Sequence, residues 1–279
     1  MTGEIIMDDK NSRRRFIKQL FALSAFSTGS MLSLKTGMNS ITAGPGMTGA
    51  AAMENPDFAA PVPDRTIRIK YKGYSCFMIT ASNGMKIITD PISALGKEPA
   101  DIVTVSCGHY NHCDVYWVGG FPYIYKRTEP IKLEGITFRG VATHHLEMDE
   151  GRKMRPGDNY VICFELEGMN ICHLGALGEK LTGEQVKQIG KVDILMAPVG
   201  GVSTLNLVDI VEVCSSLNPK VVIPMHYKNR QSNDIPGATV DEFLKLMDKG
   251  GNLKGGRGGF GSKDFKSSDL PSVTQVIVL

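Results

Sequence analysis

Only six histidines occur in the 279 residues, and they are not scattered. His109 and His112 share one polar loop that follows an apolar run. His144 and His145 close a second strand-like run. His173 and His226 stand at or near the ends of two more. Imidazoles collected at strand ends can converge on one edge of a pair of sheets, as a metal site requires. A single histidine is more often a packed structural residue, so the recurrence in four loops is what points to a cation.

The elements that would carry these loops are strands first. Ile67-Arg68-Ile69-Lys70-Tyr71 alternates apolar and polar side chains, the pattern of a half-buried strand. Runs at 76–80 and 85–89 follow, separated by the turn signal Ser82-Asn83-Gly84, and Asp90-Pro91 ends that hairpin. Residues 101–106 form a short apolar strand leading into the His109 loop. Residues 131–143 and 160–173 supply more strands, with Glu167-Gly168-Met169-Asn170 as a turn. The second half alternates: helix over 183–190, strand over 192–199, helix over 207–217, strand over 221–225, amphipathic helix over 239–249 and a closing strand over 273–279. A strand-rich meander followed by strand–helix units predicts an α/β (α+β) protein with two packed sheets and helices outside. Gly256-Arg257-Gly258-Gly259-Phe260-Gly261 fits a dinucleotide-binding fingerprint in letters only. It lacks the preceding strand and the following helix, and reads as a loop.

Four segments carry a specific resemblance. Ser106-Cys107-Gly108-His109-Tyr110-Asn111-His112 resembles the His-x-His-x-Asp-His signature of the metallo-β-lactamase superfamily. Gly140 to His145 resembles its next ligand loop, with His145 in the ligand place. His173 to Gly178 resembles the loop that carries a metal-bridging aspartate, and Val222 to Tyr227 the final ligand strand. Residues 73–91 and 193–204 are similar to further strands of the branch that includes ascorbate-phosphate lactonase-like hydrolases. The four loops occur in the family's order across about residues 66–230. The resemblance implies a four-layer αββα metallo-β-lactamase sandwich.

Departures from the signature bear directly on the chemistry. The family's first histidine is Cys107 here, its loop aspartate is Asn111 and its bridging aspartate is Ala176. Carried over residue by residue, the resemblance implies a first metal site of Cys107, His109 and His145. The second site keeps only His112 and His226 beside the neutral Asn111. One cysteine, two histidines and an open position are an acceptable catalytic zinc set. Thiolate also suits iron or copper, so the expected cofactor is one divalent metal of open identity, zinc first and iron second. Asp114, Glu147 and Asp149 lie near the ligand loops and could substitute for the lost carboxylates, although surface charge is their plainer reading. Asn111 can orient a nucleophile by hydrogen bonding but cannot accept its proton.

The remaining features bear on location and partners. Ser12-Arg13-Arg14-Arg15-Phe16-Ile17-Lys18 precedes a short apolar run, which describes an export signal and resembles the twin-arginine type. Residues 1–52 are therefore expected to be a signal read by the twin-arginine translocase, 53–65 a linker and 66–279 the folded domain. The expected location is periplasmic or otherwise exported, with membrane attachment only if the signal stays uncleaved. Residues 1–52 carry six basic and three acidic side chains, which leaves the rest near neutrality. A near-neutral body gives no electrostatic case for nucleic acid, and the expected partner is a small-molecule substrate. None of the six cysteines forms a Cys-x-x-Cys pair, and Cys76, Cys163 and Cys172 lie in apolar runs, where thiols pack as small hydrophobes. The functional expectation is a mononuclear metal-dependent hydrolase acting on an ester, lactone, amide or phosphodiester. The alternative is a degenerate, non-catalytic member of the fold that binds a metal or ligand.

Overall fold

The computed structural model describes residues 65–109, 112–148, 154–228, 237–248 and 261–279. The export signal, the linker up to Asp64, Asn111, Asp149 and the glycine run 256–260 lie outside the described residues. The first strands are β1 (Thr66–Gly73), β2 (Cys76–Thr80), β3 (Lys86–Thr89), β4 (Glu98–Pro99) and β5 (Ile102–Thr104). Next come β6 (Val118–Gly119), β7 (Tyr123–Tyr125), β8 (Ile131–Leu133), β9 (Ile136–Met148), β10 (Met154–Leu166) and β11 (Met169–His173). Then α1 (Gly183–Ile189), β12 (Ile194–Pro198), α2 (Leu207–Leu217), β13 (Val221–Met225), α3 (Val240–Met247), β14 (Ser262–Lys266) and β15 (Gln275–Val276) complete the order. One sheet runs β14-β1-β2-β3-β5-β7, a second runs β15-β13-β12-β11-β10-β9-β8, and β4 pairs with β6.

Alternation explains how the sheets face each other. Ile67, Ile69 and Tyr71 of β1, Phe77 and Ile79 of β2 and Ile87 of β3 share one core with Phe138, Val161, Ile171 and Leu195 of the second sheet. Each fully buried Ile or Phe there contributes about 1.5–3 kcal/mol. The intervening residues of the first sheet, Cys76, Ile88 and Val103, point the other way. They pack under Ile92, Leu95, Ala100 and Val118 as a separate cluster. The outer layer on that side is therefore built from two 3₁₀ turns (Ser93–Leu95 and Val115–Trp117) and the β4–β6 ladder. α-Helices cover the second sheet, α1 against β9 and α2 against β12 and α3.

Local chemistry sets the helix ends. Thr182 and Gln185 form a reciprocal capping box before α1. Asn206 caps α2 by accepting from the Asp209 amide at 3.0 Å, and Asn218 ends that helix in the left-handed region at φ +45°. Its buried residues Ile210, Val213, Cys214 and Leu217 repeat at helical spacing, matching the range expected from the sequence.

Two expectations need correction, and one strand was not expected. The closing strand over 273–279 shrinks to Gln275–Val276. Ser262–Lys266 forms an edge strand that the sequence hides, because only Phe265 in it is buried. Finally, β10 begins at Met154, not Tyr160, so Pro156 and Gly157 lie inside the ladder opposite Leu146 and His145. All six cysteines are free, although Cys163 and Cys172 sit directly opposite each other with sulfurs 3.5 Å apart. Among the described residues no helix is long and apolar enough to cross a membrane.

Candidate metal centre

Asp90 organises the first ligand loop. It follows β3 with a left-handed backbone (φ +38°), and its amide donates to the Thr104 carbonyl at 2.8 Å. Its carboxylate has no exposed surface and accepts from the Ser106 amide at 2.7 Å and the Ser106 hydroxyl at 2.6 Å. His112 Nδ1 stands 2.6 Å from the same carboxylate. Burial alone would raise the Asp90 pKa. The electrostatic effects of His173 and His112 and the hydrogen bonds from His112 and Ser106 outweigh it and hold the group below the usual range. An ionised Asp90 fixes the His112 proton on Nδ1 and leaves Nε2 as a free lone pair.

His226 joins His112 from the other side of the sandwich. It follows β13 at φ +54°, with its amide donating to the Tyr74 carbonyl at 2.8 Å. The two rings stack at 5.4 Å with 24° between planes. Gly200 permits this close passage, because a Cβ there would collide with the His226 carbonyl. Burial, and then His112, push the His226 pKa down to about 3, so the ring stays neutral.

His145 and His109 form a second pair, edge to face at 5.9 Å. His109 is exposed, whereas His145 is buried near the end of β9. His145 Nδ1 lies 3.0 Å from the Asp158 carbonyl and must donate to it, which leaves Nε2 unprotonated in the neutral ring. Burial lowers the His145 pKa and favours that neutral form. Nε2 is buried and has no hydrogen-bond partner, yet it lies 3.1 Å from Glu147 Oε1. Gly157, opposite on β10, makes room for both groups, since a Cβ there would strike the imidazole and the carboxylate.

Asn159 ties these loops together. Its Nδ2 donates to Thr143 Oγ1 at 2.7 Å and to the Leu174 carbonyl at 3.0 Å, and its Oδ1 accepts from the Ala176 amide at 2.9 Å. A backbone bridge joins it to Cys107, and the neighbouring Tyr160 amide donates to the Ser106 carbonyl at 2.8 Å. Ala176, where the family signature has a carboxylate, therefore contributes only a backbone amide to the network.

The sequence-predicted residues are thus brought together in part. His109 meets His145, and His112 meets His226. Cys107 is fully buried, with its thiol pushed up to about 12 by burial and by Asp90. Among the described residues no three His, Cys, Asp or Glu side chains are already close enough to hold an ion, so Cys107, His109 and His145 are not gathered as a set. His173 is structural: Nε2 lies 2.8 Å from the Ser75 carbonyl and Nδ1 accepts from the Gly175 amide at 3.1 Å. Asp90, Ser106 and Asn159 were missed by sequence reasoning. Of these, only Asp90 carried a signal, as a lone acid at the end of an apolar strand.

The sandwich and its strand-end histidines set the frame for comparison with known proteins. A family model for the beta-lactamase superfamily domain matches residues 68–226. The chain belongs to this superfamily. As a superfamily member it resembles a solved structure from Thermotoga maritima, described as a candidate Zn-dependent hydrolase of the metallo-beta-lactamase superfamily. The two are 34% identical with a TM-score of 0.61, and the match covers 76% of this chain and 97% of that one. A UPF0173 metal-dependent hydrolase of Thermoplasma volcanium is 24% identical over 189 residues, covering 58% of this chain and 83% of the relative. A metallo hydrolase of Ignicoccus hospitalis, at 19% identity and TM-score 0.55, shares the fold over 72% of this chain and 98% of its own.

The donor chemistry fits a cation. His145 Nε2 is buried without a hydrogen bond and stands 3.1 Å from a Glu147 carboxylate oxygen, a nitrogen and an oxygen donor spaced as two ligands of one ion would be.

Proposed function

We propose that this protein is an exported metal-dependent hydrolase whose single metal is held at the His109–His145 end of the site. Zinc is the first choice and iron the second. Cys107, His112 and His226 complete the donor set available there. The observation that carries the reading is the bare His145 Nε2, buried, without a hydrogen bond and 3.1 Å from Glu147. The relatives described as metal-dependent hydrolases support it. Export rests on the amino-terminal signal pattern, which the twin-arginine translocase would read.

A bound divalent cation would supply Lewis acidity, polarising the attacked oxygen and easing deprotonation of water near neutral pH. The chain's own residues do the rest. Asp90 and the Asp158 carbonyl fix the tautomers of His112 and His145, so each aims a lone pair at the site. Asn111 orients the attacking water by hydrogen bonding but takes no proton from it. Loss of a positioned general base there slows the reaction about a hundredfold or more relative to an aspartate-bearing site. The substrate is a small ester, lactone, amide or phosphodiester.

A non-catalytic binding role is the second reading. It is favoured by the absence, among the described residues, of three donors already gathered. Elemental analysis of the gently purified full-length protein, followed by a panel of generic esters, lactones and phosphodiesters, separates the two. About one tightly held ion per chain, with turnover lost on His145→Ala, supports the hydrolase. Metal without turnover supports the binding role. Neither metal nor turnover refutes the metal reading itself.

A further inference from the structure

Two of the family's anionic donors are missing from this chain, replaced by Asn111 and Ala176. With Cys107 not gathered beside His109 and His145, the donors that meet there are imidazoles, which hold a hard or borderline dication poorly without an anionic ligand. Glu147 stands where it can make good that loss. It is two residues beyond His145 on β9, so strand alternation places both side chains on one face. Its Oε1 lies 3.1 Å from His145 Nε2. Two donors that each approach one zinc ion at about 2.1 Å stand roughly 3.0–3.4 Å apart at angles of 90–110°. The observed spacing falls in that range. His145 Nε2 has no hydrogen-bond partner despite its burial, and its other nitrogen is engaged by the Asp158 carbonyl. Gly157 lies across the ladder from His145 where a side chain would fill the space that the imidazole and carboxylate occupy.

We propose that Glu147 is an anionic ligand of the cation held at His145, in place of the carboxylates absent at positions 111 and 176. The exposed His109 ring, edge-on to His145, supplies a third donor after a side-chain rotation. The proposal rests on the metal-site reading above, and its test separates the two.

Zn²⁺ affinity of the full-length protein is measured by equilibrium dialysis against a competing chelator, for the parent, Glu147→Gln and Glu147→Asp. Visible spectra of the Co²⁺-loaded proteins provide a readout independent of turnover. Removing one charged ligand should weaken Zn²⁺ binding at least about tenfold in the Gln variant and change the Co²⁺ bands. The Asp variant, which keeps the charge on a shorter arm, should fall between Gln and parent. Parent and Gln variant binding Zn²⁺ equally, with matching Co²⁺ spectra, would overturn the role of Glu147 and leave the metal site standing. A parent that binds no Zn²⁺ would overturn both. Should the Gln variant fail to fold, the Asp variant decides alone: parental affinity and an unchanged spectrum count against the assignment.

Discussion

Replacing Asp90 tests how the first ligand loop is built. In the parent, its buried carboxylate accepts from the Ser106 amide, the Ser106 hydroxyl and His112 Nδ1 at 2.7, 2.6 and 2.6 Å. Hydrogen bonds to a charged group contribute about 1.5–3 kcal/mol each, and the relief of desolving a buried charge offsets part of their loss. Asp90→Ala strands three donors and should cost about 3–5 kcal/mol, or on the order of 10 °C in melting temperature for a domain of this size. Asp90→Asn has a sharper consequence. Its Oδ1 can still accept from the Ser106 amide, but its amide nitrogen now faces His112 Nδ1, which must turn acceptor. The His112 proton then moves to Nε2 and blocks the lone pair meant for the site. Urea unfolding of the ion-free protein measures the first effect, and ¹⁵N shifts of the His112 ring report the second. If both variants unfold within about 0.5 kcal/mol of the parent, the loop is not held this way. An Asn variant with His112 still protonated on Nδ1 would refute the tautomer argument.

Other consequences can be checked as directly. Asn159→Ala leaves the Ala176 amide and Leu174 carbonyl without their partner and should cost about 2–4 kcal/mol by chemical denaturation. Gly157→Ala pushes a methyl group into His145 and Glu147, and should cost about 1–3 kcal/mol while weakening Zn²⁺ binding in a dialysis assay. Asp193, remote from the site, lies beneath Lys191 and Lys220 and accepts from the Asn170 amide and side chain, both at 2.9 Å. Burial opposes its ionisation, but the Asn170 bonds and the two lysines hold its folded pKa below the usual value. Its stabilisation is therefore present above the unfolded pKa of about 4 and fades as the pH falls through the folded value. Unfolding free energies of the parent and Asp193→Asn should be fully separated above about pH 5 and draw together as the pH falls into strong acid. Parallel curves would remove Asp193 from the acid response.

Much of the scaffold was legible because its signals are local. Alternation marked β1, the left-handed turn at Glu167-Gly168 closed the β10–β11 hairpin, and helical spacing gave α2. Other parts are settled by partners distant in sequence. Pro156 and Gly157 carry turn chemistry, yet the long pairing with β9 draws them into a ladder, where Gly157 is needed to clear His145. Asp90 looked like the end of a hairpin, since nothing local reveals that Ser106 and His112 fold back onto it. Glu147 carried a local signal. An acid two positions after a metal-type histidine on a strand shares its face, and here its Oε1 comes within 3.1 Å of His145 Nε2.

The backbone seam at Tyr160 and Ser106, with the Cys107–Asn159 bridge beside it, joins the two sheets where the histidines gather. A cation held there would meet a floor already tied by backbone hydrogen bonds. On the proposed arrangement little of its binding energy would go into ordering the chain, with the exposed His109 turning inward. Loaded and empty protein should therefore differ in side-chain orientation more than in backbone path, and stripping the ion should leave the sandwich standing.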